Sequence, residues 1–221
     1  MSLSVSEEKE GKGFWSDKNK VWRIAGAVLM AAGLIVLGYV GYQKALVAYH
    51  QYQLRKNYAE TEEEVELPET TEEIFEHVVI TEWQPMRIII PKIDVDLVVQ
   101  QGDVFDMALH DKGPVHFGMS DLPSTEGGNT AIAGHRGTRW GFFTDLDFLE
   151  EGDEIYLDVG GYRFIYLVEW IKIVDPYDWS VIDSTDYPAI TLQTCEPKYA
   201  PATHRLIVRG ALDRVTAAPR S

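Results

Sequence analysis

AITLQTCEPKY (residues 189–199) contains the only cysteine of this 221-residue chain, Cys195. The apolar and β-branched residues before the cysteine are typical of a buried β-strand, and Glu196 and Pro197 end that pattern directly after it. A lone buried cysteine is most often a small apolar core residue. Its position at a strand end, next to the hydroxyl of Thr194, instead indicates a thiol that faces a surface. A single cysteine also excludes an intramolecular disulfide framework.

The composition is that of a globular chain with an excess of acidic residues. Hydrophobic residues make up 45% and aromatic residues 11% of the chain, enough for a sizeable core. The formal net charge of -15 argues against a nucleic-acid partner, because such a surface repels phosphates. Nine glutamates fall between residues 60 and 76, so we expect this stretch to be a solvated tether rather than a binding face.

Residues 24–42 read IAGAVLMAAGLIVLGYVGY and contain no charged side chain. A helix of this length extends about 28 Å, close to the roughly 30 Å hydrocarbon core of a bilayer. The apolar run is longer than that of a cleaved signal peptide, which leaves a retained anchor or a buried helix of a soluble protein. We predict a membrane anchor over residues 24–43. Five basic residues precede it and three follow before the glutamates begin, which predicts a cytoplasmic N-terminus and an exported C-terminal part.

The rest of the chain divides into polar segments and one β-rich domain. We expect residues 1–23 to form a cytoplasmic tail, residues 44–79 a polar stalk whose first part could continue the helix, and residues 215–221 a polar tail. Between residues 80 and 214, short apolar runs separated by turn residues predict an all-β domain, either a barrel or a sandwich, with a turn or two of helix near residue 148. The predicted strands are Met86–Ile90, Val95–Val99, Asn129–Ala133, Glu154–Asp158, Tyr162–Val174, Ala189–Cys195 and Arg205–Leu212.

A nucleophilic cysteine needs a proton acceptor, and the chain has six histidines. His135, in IAGHRG, is the best candidate because it lies where an apolar strand ends in a glycine-bracketed loop, as the cysteine does. His116, in GPVHF, is the second candidate. His110 falls in a polar turn and is expected to be solvated, as are the two histidines of the stalk, and His204 is expected to cap a strand.

An arginine is the expected partner for developing negative charge. Arg205 begins the run RLIVRGAL ten positions after Cys195, far enough for the next strand to return beside the thiol and stabilise its thiolate. Arg209 lies on the same face of that strand if the strand is regular. The acidic stretch between Asp145 and Asp153 is expected to be a solvated loop rather than a metal site.

The cysteine, histidine and arginine segments together resemble the sortases, the membrane-anchored cysteine transpeptidases of Gram-positive bacteria. TLQTC fits their TLxTC signature, NTAIAGHRG places their histidine at His135, and HRLIVRGAL places their arginine at Arg205. The resemblance covers residues 86–213, and the predicted membrane anchor agrees with it independently. TCEPKYAPATHRLIV is most similar to class E sortases and next to class D.

The resemblance implies a closed β-barrel with short helices, preceded by a transmembrane helix and an acidic stalk. It implies that Cys195 attacks the Thr–Gly bond of an LPXTG- or LAXTG-like sorting signal, while His135 moves protons and Arg205 holds the substrate backbone and the oxyanion. Thr194 and His116 are the implied substrate-binding residues. The implied partners are sorting-signal peptides and an amine acceptor such as a peptidoglycan cross-bridge precursor, outside the cell membrane. No metal or other cofactor is expected.

Other interpretations of the same residues differ in motif or in class. Pilin-polymerising sortases usually carry an Asp-Pro-aromatic motif ahead of the barrel and a second membrane span. Here Asp175, Pro176 and Tyr177 lie inside the barrel region, and the C-terminal tail is polar. L,D-transpeptidases need Ser-x-Gly before the cysteine, and papain-like hydrolases place the cysteine first and on a helix. The alternative from another class is a non-catalytic, membrane-tethered β-domain with a structural cysteine.

Overall fold

The computed structural model describes residues 11–63, 74–137, 141–199 and 201–219. The chain forms two compact units, Met1–Ala45 and Leu46–Ser221. Most of the glutamate-rich tether predicted between residues 60 and 76 lies outside the described residues.

The first unit contains the beginning of one long helix, α1 (Gly11–Glu63). Within it, Lys20–Thr61 contains a stretch long and apolar enough to cross a membrane, and that stretch is not buried in protein. The span predicted over residues 24–43 lies in this stretch. Length and composition are therefore compatible with a membrane anchor, while insertion and orientation stay predictions.

The second unit is a closed barrel of eight strands in the order β1-β2-β3-β4-β7-β8-β6-β5. The predicted all-β closed barrel is confirmed. Short helices interrupt it: α2 (Met107–His110) and the 3-10 helices Pro91–Ile93, Leu146–Phe148 and Trp179–Ile182. The strands are β1 (Met86–Ile90), β2 (Val95–Gly102), β3 (Val115–Phe117), β4 (Asn129–Ala133), β5 (Glu154–Val159), β6 (Tyr162–Val174), β7 (Ala189–Glu196) and β8 (His204–Ala217).

The wall of the barrel that contains β7 is covered on both sides. Ile190 and Leu192 point into the barrel and are fully buried in its main core. Thr191, Gln193 and Cys195 alternate with them and face the other side. There a smaller apolar cluster covers the sheet, which explains why Ala189–Leu192 is buried without interruption. The cluster consists of Phe117, Ala131, Ala133, Val181, Ile182 and Ile207.

Several strands differ from the sequence prediction, most of them by one residue at an end, while β2 continues to Gly102 instead of ending at Val99. β8 was expected to end at Leu212, with residues 215–221 as a polar tail, but it continues to Ala217. Val215 pairs with Phe164 and is 1% exposed, because the 13-residue β6 gives β8 a partner along this length. The short strand β3 was not predicted, because only three residues separate its flanking turns; it pairs with both β2 and β4.

The predicted stalk, residues 44–79, also differs from expectation. α1 continues to Glu63, and its part from Leu46 onward belongs to the same compact unit as the barrel. Gln51 is the main polar contact: its Oε1 accepts from the backbone N–H of Val98 at 3.0 Å, and its Nε2 donates to the carbonyl of Lys112 at 2.8 Å. Gly113 permits this approach, since a Cβ there would lie 2.4 Å from the Gln51 Nε2. Gln51 thus provides a hydrogen-bond partner for β2 at Val98, ahead of the part of β2 that pairs with β3.

Substitution of Gln51 by alanine is expected to lower the free energy of unfolding of the barrel unit by about 1–3 kcal/mol, because a buried and a partly buried backbone group lose their partner. Urea unfolding of the full chain in detergent micelles, followed by tryptophan fluorescence, measures the change. Gln53→Ala is the matched control, because Gln53 is exposed on the same helix. Equal stability of the two variants would show that the helix does not brace the barrel.

Candidate active site

The site lies where β4 and β7 end side by side. These strands run parallel, with Ala133 opposite Gln193, and the N–H of Gly134 extends the pairing by donating to the Gln193 carbonyl at 3.0 Å. His135 follows by one residue. β8 returns antiparallel to β7 and places Arg205 directly opposite Cys195. His135, which is 60 positions before the cysteine, and Arg205, which is ten positions after it, are therefore brought to one edge of the sheet.

A cleft of about 280 Å³ opens at this edge. Its walls are mainly apolar and aromatic, and Cys195 is partly exposed in it. Besides Cys195, His135 and Arg205, the lining residues are Val104, Phe105, Met107, His110, Phe117, Ala133, Gly134, Pro176, Tyr177, Trp179, Gln193 and Thr194.

The backbone around His135 is held tightly. Its carbonyl accepts from the N–H of Phe143 at 3.0 Å, and the ring of Phe143 lies so close that a Cβ on Gly134 would be 2.6 Å from it. A glycine before the histidine is therefore required for close approach. The imidazole Nε2 is buried, has no hydrogen-bond partner, and lies 3.6 Å from Asp111 Oδ1.

Burial lowers the pKa of His135 below the ordinary histidine value, and the neighbouring His110 lowers it further. The carboxylate of Asp111 opposes both effects by favouring the charged ring. The ring centroids of the two histidines are 5.2 Å apart. The free protein thus favours a neutral His135 with one nearby group that can stabilise the imidazolium.

Arg136 fixes the loop of His135 to the strand of Cys195. Its guanidinium, only 3% exposed, donates to the Cys195 carbonyl at 3.2 Å and forms ion pairs with Glu196 and Asp147. A buried charge with three acceptors is stable only in a fixed geometry. Arg136 therefore holds the loop of His135 and the strand of Cys195 in a fixed relative position from behind the cleft.

Thr194 lies beside the cleft, but its side chain points to the interior side of β7. Thr194 is 2% exposed, and its hydroxyl donates to the Gly134 carbonyl at 2.7 Å. The hydroxyl predicted to contact substrate is thus used in joining β7 to the end of β4.

Two of the three arginines of β8, Arg205 and Arg209, have different surroundings. Arg205 is half-buried, lines the cleft opposite Cys195, and donates to the His204 carbonyl at 3.1 Å. Arg209 lies on the same face but is buried under the 3-10 helix Trp179–Ile182. It donates to the Val181 carbonyl at 2.8 Å and lies over the ring of Trp170. Only Arg205 is available to a ligand in the cleft.

His116, predicted as a substrate-binding residue, lies away from the cleft. It pairs with Ile132 and shares that residue's inward face, whereas its neighbour Phe117 lines the cleft on the opposite face. The ring is 3% exposed, packs against Trp83, and bonds through Nε2 to the carbonyl of Asp121 at 3.1 Å. The alternation of a strand places the histidine inward, so its placement supports a structural role instead.

The sequence interpretation missed several lining residues. His110 was expected to be solvated, but it is 7% exposed and bonds through Nε2 to the Val104 carbonyl at 2.7 Å. Phe105 follows β2, whereas Tyr177 and Trp179 lie in the connection between β6 and β7, and an aromatic residue in a connecting segment is the only sequence signal for them.

The acidic stretch between Asp145 and Asp153 is neutralised by basic side chains. Lys198 pairs with Asp145 at 2.6 Å and Lys92 pairs with Asp153 at 2.8 Å, while Asp147 pairs with the buried arginine described above. Within the described ranges, no group of three or more His, Cys, Asp or Glu residues is arranged to hold a metal ion.

The barrel thus brings a thiol, an imidazole and a guanidinium to one cleft at a sheet edge. The sortase domain family matches residues 88–213, more than half of the chain, and the chain belongs to the sortase family. Among curated relatives, Sortase SrtE1 of Streptomyces coelicolor is 31% identical over 146 residues, covering 60% of this chain and 40% of the relative. Sortase D of Bacillus subtilis is 34% identical over 110 residues, covering 49% of this chain and 52% of the relative. The chain thus spans about half the length of these two relatives.

Solved structures agree with this assignment. A Clostridium perfringens Sortase D5 transpeptidase superposes with a TM-score of 0.56 at 26% identity, covering 76% of this chain and 99% of that one. Sortase E1 from Streptomyces coelicolor, with a tripeptide in its active site, superposes with a TM-score of 0.55 at 26% identity, covering 60% of this chain and 90% of that one. Sortases E and D, the two classes predicted from the sequence, are both among the relatives.

His116→Gln is expected to change kcat/KM of the peptide reaction by less than about twofold, because the ring does not line the cleft. Burial lowers the pKa of His116, so the unfolded chain takes up a proton at a higher pH than the folded protein does. Stability is therefore lost as the pH falls below the ordinary histidine value, and the variant is expected to lose less between about pH 7 and pH 5.

Urea unfolding at both pH values and a peptide cleavage assay measure the two effects. His204→Gln is the control, because His204 is exposed at the start of β8. A more than about tenfold loss of activity in His116→Gln, with normal stability, would place His116 in substrate binding after all.

Proposed function

We propose that this sortase-family chain is a cysteine transpeptidase that cleaves an LPXTG- or LAXTG-like sorting signal between Thr and Gly and transfers the acyl part to an amine. One observation carries the proposal: Cys195, His135 and Arg205 line a single cleft at the joined ends of β4, β7 and β8. A structural cysteine would require neither the imidazole nor the guanidinium at that position.

In the first step, the Cys195 thiolate attacks the carbonyl carbon of the substrate threonine. A tetrahedral oxyanion forms and collapses, the bond to the glycine nitrogen breaks, and the His135 imidazolium gives its proton to the departing amine. The products are a thioester on Cys195, a neutral His135 and a free glycine amine.

In the second step, an acceptor amine attacks the thioester carbonyl. Neutral His135 accepts the proton of the amine, and the sulfur departs as thiolate, so the starting state is restored. A peptidoglycan cross-bridge precursor would supply such an amine, and the product would be a surface protein attached to the cell wall.

Arg205 is the residue assigned to the oxyanion and the substrate backbone. Its Cα lies opposite that of Cys195 across an antiparallel pair, and its guanidinium has one internal hydrogen bond, which leaves further donors for a ligand. The hydroxyl of Thr194 does not share this role, because it donates to Gly134.

The cleft favours an extended peptide with apolar side chains. Phe105, Tyr177 and Trp179 contribute aromatic surface along its walls, while Arg205 provides the positive charge beside the thiol. The tripeptide in the active site of the Streptomyces sortase E1 structure supports a peptide ligand at the corresponding place. The apolar part of α1 supports a single-pass anchor. Its N-terminus would lie in the cytoplasm and the barrel outside the membrane, because more basic residues precede the span than directly follow it.

Incubation of the full chain in detergent micelles with LPXTG and LAXTG peptides and an amine acceptor tests the proposal. The wild type is expected to form a thioester, seen by intact mass, and to release an amine-linked product. Cys195→Ala is expected to abolish both, because no other thiol exists in the chain. Scrambled peptides are the control. Normal turnover by Cys195→Ala would remove the thiol from the mechanism.

Arg205→Lys is expected to lower kcat/KM by about tenfold or more, because an ammonium cannot provide the paired donors of a guanidinium. Steady-state kinetics with the preferred peptide measure the loss. Arg214→Lys on the same strand is the matched control, because Arg214 pairs with Asp213 and Glu154 rather than lining the cleft. Equal activity of both variants would show that Arg205 contributes charge alone.

A further inference from the structure

Two residues at the end of α2 contact His135 although the proposed chemistry gives them no task. The His110 ring lies 5.2 Å from the His135 ring, and Asp111 Oδ1 lies 3.6 Å from its Nε2. That Nε2 is buried and makes no hydrogen bond. Burial of a nitrogen without a hydrogen-bond partner is costly. This indicates that Nε2 forms its hydrogen bond in another state of the ring.

α2 is held firmly enough to fix these contacts. The His110 Nε2 bonds to the Val104 carbonyl at 2.7 Å, and Gln100 Nε2 donates to the Leu109 carbonyl at 2.9 Å. Gln51 of α1 donates to the carbonyl of Lys112, directly after the helix. These three side-chain bonds tie α2 and the residues directly after it to β2, to the loop after β2 and to the later part of α1.

In the part of the chain that the structure describes, Asp111 is the acidic group paired with the His135 ring. Among the described residues its carboxylate forms no ion pair with a lysine or arginine, so the histidine is its only ionic partner. The nearby basic group Arg136 is already paired with Glu196 and Asp147. The titratable and charged groups around the ring are His110 and Asp111 from α2, Cys195 from β7, Arg205 from β8, Tyr177 from the β6–β7 connection and Arg136 from its own loop.

We propose that Asp111 is a positioning residue that orients His135 and stabilises its protonated form, while His110 on the same helix favours the neutral form. The catalytic meaning of this pair rests on the proposed transpeptidase function. A histidine that must first give a proton and then accept one gains from two opposed neighbours, because neither form is held too strongly.

The direction of each effect follows from the charges. Burial is the largest cause of the lowered His135 pKa, His110 lowers the pKa further, and Asp111 raises it. Removing the Asp111 carboxylate therefore lowers the pKa of His135, and replacing His110 removes its opposing effect and raises that pKa. A purely structural role for α2 would not move the two variants in opposite directions.

The experiment is an NMR titration of the His135 ring in the full chain, with ¹³C-labelled histidine and detergent micelles, for Asp111→Asn and His110→Gln. We expect the midpoint to move to lower pH in the first variant and to higher pH in the second. Asp106→Asn is the matched control: it removes a charge from the same helix but keeps an N-cap that accepts from Ala108 N–H. Its midpoint is expected to match that of the wild type.

The kinetic counterpart is the pH dependence of kcat/KM. The acid limb of Asp111→Asn is expected at lower pH with a roughly two- to fivefold lower maximum, the range of a partly exposed ion pair, and Asp111→Glu is expected to restore it. An unchanged His135 midpoint in Asp111→Asn would overturn the proposal. Because the titration needs no turnover, a failed transpeptidase assay with shifted midpoints would reject only the proposed function.

Discussion

The parallel pairing of β4 with β7 is the constraint on which the site depends. Parallel neighbours end at the same edge of a sheet, so the residue after the end of β4 and the last residues of β7 must meet there. The Gly134 N–H extends this pairing by one bond to Gln193, and the Thr194 hydroxyl adds a second bond back to Gly134. His135 and Cys195 are brought to the same edge because the backbone pairing of the two strands fixes where each strand ends.

Polar contacts behind the cleft then hold the reacting groups. Arg136, whose side chain is buried, joins the histidine loop to the cysteine strand through acceptors on both segments. On the other side, Asp111 and His110 set opposing influences on the pKa of His135. The cleft itself stays mostly apolar, which strengthens each electrostatic contact that a bound peptide would make. A rigid support behind the cleft and an apolar cleft lining together suit a thiol that must be exposed to substrate and yet react selectively.

Much of this arrangement was predictable from sequence, for physical reasons. TLQTC, the glycine-bracketed His135 and Arg205 at a strand start are local patterns, and strand ends are visible where an apolar run stops. The role of Gln51 was not visible, because a polar helix and a solvated stalk have the same composition. The burial of His110 and His116 was not visible either, since it depends on which elements fold over them. The long β8 was underestimated because Asp213 and Arg214 break its apolar pattern while facing outward.

The accessibility and reactivity of the one thiol test the account most directly. The full chain in micelles would be treated with iodoacetamide near neutral pH, with and without a sorting-signal peptide, and alkylation of Cys195 followed by intact mass. The account predicts alkylation at least as fast as that of a free cysteine peptide, and protection when the peptide occupies the cleft. Slow alkylation that the peptide does not change would contradict it and would make Cys195 a structural residue.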